Sequence, residues 1–132
     1  MTRVSAPAAP DQRRAFGLAA ERQAVDYLEQ RGWQILACNV RSRLGEIDII
    51  AHHQQTVIFC EVRARHAGAM VSPAESVDRR KQTRLVRLAS QFLARYPQWA
   101  DAECRFDVLS LWYCSNDSWQ IEWIEDAFRP GW

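Results

Sequence analysis

"GEIDIIAHHQQTVIFCEVRAR", residues 45–65, decides how this chain is read. Apolar residues alternate with others on both sides of HHQQ, the period of β-strands, and so short a connection most simply joins antiparallel neighbours. The pattern predicts a hairpin in which Ile47 and Ile49 face one way and Glu46, Asp48 and Ile50 the other. In the second strand Val57, Phe59, Glu61 and Arg63 share a face opposite Ile58, Cys60 and Val62. Three acids thus lie in sequence bound for a core, where a carboxylate is costly unless it is paired, hydrated or bound to a cation. Asp48 and Glu61 meet only if the register puts them on one face, and the alternation leaves that register open. His52 and His53 fall in the turn, where a polar pair needs no special role.

Upstream, Asp11 follows Pro10 as a good N-cap, and helical spacing runs over about 12–31 to Gly32, a stop signal. Leu18, Glu21, Val25 and Leu28 fall on one stripe, placing Glu21 within the inward face. WQILACNV, residues 33–40, reads as a strand and RSRLG as a turn.

Downstream comes a loop rich in Gly, Ala and Pro, then a second helix from about Ser76 to Pro97. Leu85, Leu88, Ala89 and Phe92 form its inner stripe, with Lys81 one turn earlier on the same stripe. Arg80, Arg84, Arg87 and Gln91 line the flank as a basic ridge in water. CRFDVLSLWY and WQIEWIEDAF are two further strands joined by a tight turn at CSNDS. The order is α-β-β-β-α-β-β, and the strand–helix–strand unit calls for a right-handed crossover between parallel strands. The fold class is α/β, a mixed sheet flanked by helices, with one domain over 13–132 after a disordered tail at 1–12.

The 132 residues are 48% hydrophobic and 25% charged, an ordinary globular composition, with net charge +1. That balance hides a basic middle: residues 61–95 hold eight basic residues against three acids, and 96–132 hold two against seven. The block suits a polyanion, although a solvated helix face explains it equally well. Cys38, Cys60, Cys104 and Cys114 show no metal or CxxC spacing and read as reduced and buried. The opening MTRVSAPAAPDQ has no apolar signal segment, and no apolar run is long enough to span a bilayer, so a cytoplasmic protein without a membrane partner is expected. The six Trp residues read as packing groups rather than base-stacking platforms.

On the residues alone, Asp48 and Glu61 fit two readings equally: a metal site, or ion pairs with Arg41, Arg43 or Arg63. Glu46 shares the face of Asp48 but would serve as well to stabilise the turn before it. Asp107 has a structural partner at hand in Arg105.

The set GEIDIIA, VIFCEVRAR, Lys81 and CRFDV, preceded by GLAAERQAVDYLEQRGW, resembles the bacterial YraN family from about residue 13 to the C-terminus. That family is similar to restriction-endonuclease-like proteins of the PD-(D/E)xK type, including archaeal Holliday junction resolvases, whose core is a helix, three strands, a helix and a strand. The resemblance implies that Asp48 and Glu61 are metal-binding acids, that Glu21 is the acid of the first helix, and that the cofactor is Mg²⁺ or Mn²⁺. Hard cations of this kind take carboxylate oxygens.

One residue departs from the pattern. Where the superfamily motif has Lys, this chain has Arg63, which cannot be deprotonated and so cannot act as a general base. It can still stabilise charge on a phosphoryl oxygen. Sixteen of the seventeen basic residues are Arg; the single lysine, Lys81, is turned inward and is a candidate to supply the missing ammonium.

The expected function is a metal-dependent nuclease acting on DNA phosphodiesters, including branched or structured DNA. Asp48, Glu61, Arg63 and Lys81 would act at the reacting phosphate, and Arg80, Arg84 and Arg87 would hold neighbouring phosphates. The alternative is a catalytically inactive nucleic-acid-binding or partner-docking module on the same fold, for which Arg63 is the main argument. A homodimer would suit a two-fold symmetric junction.

Overall fold

A computed structural model describes residues 9–69 and 77–130. Helix α1 (Pro10–Gln30) is followed by β1 (Gln34–Ser42), β2 (Gly45–His53) and β3 (Thr56–His66), then helix α2 (Arg79–Arg95), a short 3₁₀ turn (Pro97–Trp99), β4 (Glu103–Cys114) and β5 (Ser118–Phe128). The strands form one sheet in the order β1-β2-β3-β4-β5. The β3–β4 pair is parallel and the other three pairs are antiparallel. This is the expected element order, hairpin and parallel crossover.

The two helices cover opposite faces of the sheet. Leu85, Leu88, Ala89 and Phe92 of α2 pack on Ile47, Ile50, Val57, Phe59, Phe106 and Val108. Ala20, Ala24 and Leu28 of α1 pack on Ile49, Ala51, Ile58, Cys60, Leu109 and Leu111. The inner stripe of α1 therefore sets two alanines ahead of Leu28, and these small residues let the helix lie close to the sheet. Leu18, expected inside, is 52% exposed, and Glu21 sits half-buried on the flank.

Other expectations shift at the ends of elements. Helix α1 begins at Pro10 with Ala9 as its cap, and Gln12 Oε1 accepts from the Ala9 N–H at 3.1 Å; Asp11 lies in the first turn instead of capping it. Residues 10–12 are thus helical, while 1–8, expected as a tail, lie outside the described residues. Ser76 also lies outside them, and α2 is capped by Asp78, whose Oδ1 accepts from the Lys81 N–H at 2.9 Å. His52 and His53 belong to β2 rather than to the turn: His52 packs on Trp99 and His53 on Trp33. His53 Nδ1 also lies 3.0 Å from the carbonyl oxygen of Gly32. Gly32 has φ +89°, so only glycine follows the helix there without strain. The cysteines are free thiols, but of the four expected to be buried only Cys60 is: Cys104 and Cys114 are half-buried, and Cys38, on the edge strand β1, is exposed.

Candidate functional site

The site forms where β2 and β3 part. Their pairing runs from His53↔Thr56 to Ile49↔Cys60 and stops there, while β3 continues beside β4 as far as His66↔Tyr113. The strict alternation read from the sequence fails at the same place. Ile47 packs on the α2 side with Ile50, whereas Ile49 packs on the α1 side, so the face switches across Asp48. On β1 the residue opposite is Asn39, between the pairs Cys38↔Ile49 and Val40↔Ile47, and its φ of 54° marks the same distortion.

This local twist turns the Asp48 carboxylate toward β3. Oδ2 accepts from the Val62 N–H at 2.8 Å, standing in for the backbone carbonyl that β2 no longer supplies. Burial pushes the Asp48 carboxyl up to about 6; the Val62 bond opposes that rise, and the neighbouring Glu46, Glu21 and Glu61 reinforce it.

Carboxylate oxygens of Glu21, Glu46 and Asp48 lie within 4.8 Å of one another. Glu21 arrives from α1, and its Oε2 accepts from Asn39 Nδ2 at 3.2 Å, a bond that the positive φ of Asn39 permits. Glu46 pairs with Arg41 at 3.4 Å, a weak contact because the Arg41 side chain is 71% exposed. Three acids converging without an internal cation are unfavourable, and a divalent cation with oxygen ligands resolves the repulsion. The donor set therefore fits Mg²⁺ or Mn²⁺.

Glu61 stands differently from the expected ligand set. It shares a small cleft of about 250 Å³ with Glu46, Asp48, Lys81 and Arg84, yet its own oxygens are engaged by bases. Oε1 contacts Lys81 Nζ, and Oε2 lies 3.2 Å from Arg63 Nη2. The structure thus brings Glu21 and Glu46 to Asp48, the first pairing being the one the resemblance implied, and sets Glu61 among basic side chains in the cleft that Glu46 and Asp48 line. Lys81 and Arg63 meet on that one carboxylate, so the lysine of α2 stands beside Arg63. Arg80, Arg84 and Arg87 are all exposed, as a basic ridge requires. Arg84 lines the acid cleft, whereas Arg87 lines a separate groove with Arg79 and Arg129.

Two contributors escaped the reading of the sequence. Glu46 shares the face of Asp48 by alternation, but the turn before it explains an acid there equally well. Asn39 carried no signal beyond a polar residue in an apolar strand, which is weak evidence of a left-handed backbone. Asp107 is structural in its contacts: 2% exposed, its carboxylate accepts from Arg105 Nε and Nη2, Trp123 Nε1 and the Asp126 N–H, all within 2.9 Å.

The comparisons with known proteins agree with one another. Residues 20–111, which hold Glu21, Glu46, Asp48, Glu61 and Lys81, match the pattern of "Uncharacterised protein family UPF0102". A UPF0102 protein of Magnetococcus marinus is 43% identical over 119 residues, 90% of this chain and 95% of its own length. Another, from Halorhodospira halophila, is 45% identical over 116 residues, 88% of each chain. A third, from Xylella fastidiosa, is 44% identical over 117 residues, 89% of this chain and 94% of its own. The chain belongs to the UPF0102 family, the YraN family that its motifs resembled.

Proposed function

We propose that this protein is a divalent-metal-dependent nuclease that cuts phosphodiester bonds of DNA. The observation that carries the reading is the convergence of Glu21, Glu46 and Asp48 within 4.8 Å at a break in the sheet, beside a cleft that also holds Lys81 and Arg84. Mg²⁺ or Mn²⁺ held by these carboxylates would lower the pKa of a bound water and offset phosphate charge.

The chain's own residues supply the rest. Asn39 fixes the orientation of Glu21 through its amide. Glu61 anchors Lys81 and Arg63 on one carboxylate, so two cations stand where a reacting phosphate would build up charge. Arg63 stays protonated and serves as a fixed charge only. Helix α2 has six basic residues and no acid between Arg79 and Arg95, and its exposed flank is suited to neighbouring phosphates.

The test is incubation of purified protein with linear, single-stranded and four-way-junction DNA in Mg²⁺ or Mn²⁺. Cutting by the wild type, its loss in Asp48→Ala and a fall of roughly 100-fold in Lys81→Ala are expected, the last being the usual size of a lost charge-stabilising contact. Lys81→Arg should recover part of that loss, because it restores the charge. Cleavage that persists in Asp48→Ala would come from a contaminant and would overturn the reading. Salt-sensitive binding with no cleavage would identify a non-catalytic binding module instead.

A further inference from the structure

Asp48 and Glu21 of the acid cluster border a second, larger cavity on the opposite side of the sheet, whose remaining wall the reading above leaves without a role. It measures about 810 Å³ and lies between α1 and β3, with Phe16, Gly17, Ala20, Val62, Arg65 and His66 in its wall. That volume falls within the roughly 300–1,000 Å³ of small-ligand sites. Phe16 and His66 are stacked with ring centroids 4.5 Å apart, and Trp119 and Tyr113 back Phe16 at 5.3 and 6.1 Å. The wall is thus a supported aromatic platform beside two small residues that leave room next to it.

The two cavities divide the parts of a nucleotide by chemistry. The cleft facing α2 is small, about 250 Å³, and charged; its three acids and two bases suit a phosphate once a divalent cation offsets the carboxylates. The cavity facing α1 is larger and mainly apolar, which suits a flat base. Asp48 lines both, at the place where β2 and β3 no longer pair. We infer that the α1-side cavity receives a single unpaired nucleobase whose phosphate lies at the acid cluster, so that the substrate is nucleic acid with an extrahelical or single-stranded nucleotide at the reacting position. A base held in a duplex stack could not reach it without being extruded. The inference rests on the nucleic-acid reading above and adds the substrate class.

Gly17 offers a clean test. A Cβ built there meets no atom within 4 Å, so Gly17→Leu projects into open space of the cavity while improving a mid-helix position. The probe is a DNA duplex with one bulged 2-aminopurine nucleotide, compared in Ca²⁺, a hard cation that carboxylates also hold, with the same duplex carrying a bulged abasic nucleotide. Wild type should bind the base-bearing bulge roughly tenfold more tightly, the value of one base–aromatic stack, and should quench its emission at least twofold. Gly17→Leu should lose both differences while melting no lower than wild type, and Phe16→Ala, which removes the ring instead of filling the space, should lose them too.

Equal affinity for the two duplexes, or a Gly17→Leu protein that behaves as wild type, would overturn the inference. Cutting in Mn²⁺ without base preference would overturn it and leave the nuclease reading standing. Base capture without cutting in Mn²⁺ would uphold the cavity and defeat the nuclease reading, and absence of DNA binding would overturn both. The same bulge in an RNA duplex, bound more tightly or less, identifies the sugar that the site accepts.

Discussion

Asp48→Asn is expected to melt several degrees above wild type at pH 8 in EDTA, although it removes the residue at the centre of the proposed site. Burial and three neighbouring acids raise the Asp48 carboxyl from 3.8 to about 6, so its ionised form is disfavoured in the folded protein. At about 1.4 kcal/mol per pKa unit, the penalty reaches an upper limit of about 3 kcal/mol. Because the folded-state value lies above that of the unfolded chain, the penalty is absent below about pH 4, grows between pH 4 and 6, and is complete above 6. Asparagine carries no charge and keeps an oxygen to accept from Val62, so the variant avoids the penalty without losing the bond. Thermal melts of both proteins from pH 3.5 to 8 check this: the curves should converge in acid and diverge above pH 6. A gap that does not change with pH would refute the electrostatic account. Added Mn²⁺ should raise the wild-type melting temperature and narrow the gap, since a ligand bound only by the folded state stabilises it by mass action.

Asp107→Ala should cost about 3–5 kcal/mol of stability, enough to unfold a marginal domain near physiological temperature. The substitution removes the acceptor of four hydrogen bonds at a site 2% exposed. It strands the Trp123 indole N–H and the backbone N–H of Asp126, whose φ of 55° depends on that local anchoring. It also leaves Arg105, only 21% exposed, with Glu125 at 3.1 Å as its remaining carboxylate partner. Urea denaturation followed by tryptophan fluorescence measures the loss, because Trp33 and Trp123 lie within 6 Å of the Arg105 guanidinium. A midpoint within error of wild type would show that this network is dispensable.

The parts of the fold that follow periodicity were readable in the sequence. Leu85, Leu88, Ala89 and Phe92 recur at helical spacing and all four are buried, and the HHQQ segment joins two paired strands. Helix α1 was read less well because hydrophobicity favours Leu18 over Ala20 and Ala24, whereas close packing on a sheet favours the smaller residues. The site was legible in its residue types but not in its grouping. Strict alternation put Ile47 with Ile49, and the distortion at Asp48 and Asn39 that separates them is set by how three strands share one register. Alternation already set Glu46 on the face of Asp48, whereas Glu61 turned to Lys81, a residue 20 positions away on the inner stripe of its helix.

The bond from the Val62 amide to Asp48 has a practical consequence. Because the ladder ends at Ile49↔Cys60, this backbone proton is held by a titratable side chain instead of a neighbouring strand, which makes it a built-in spectroscopic gauge of the acid. Its nuclear magnetic resonance frequency should move with a midpoint near pH 6, and its exchange with solvent should quicken as Asp48 takes up a proton. A single backbone signal then reports the charge of the cluster, and any cation that displaces the proton, without touching a residue of the site.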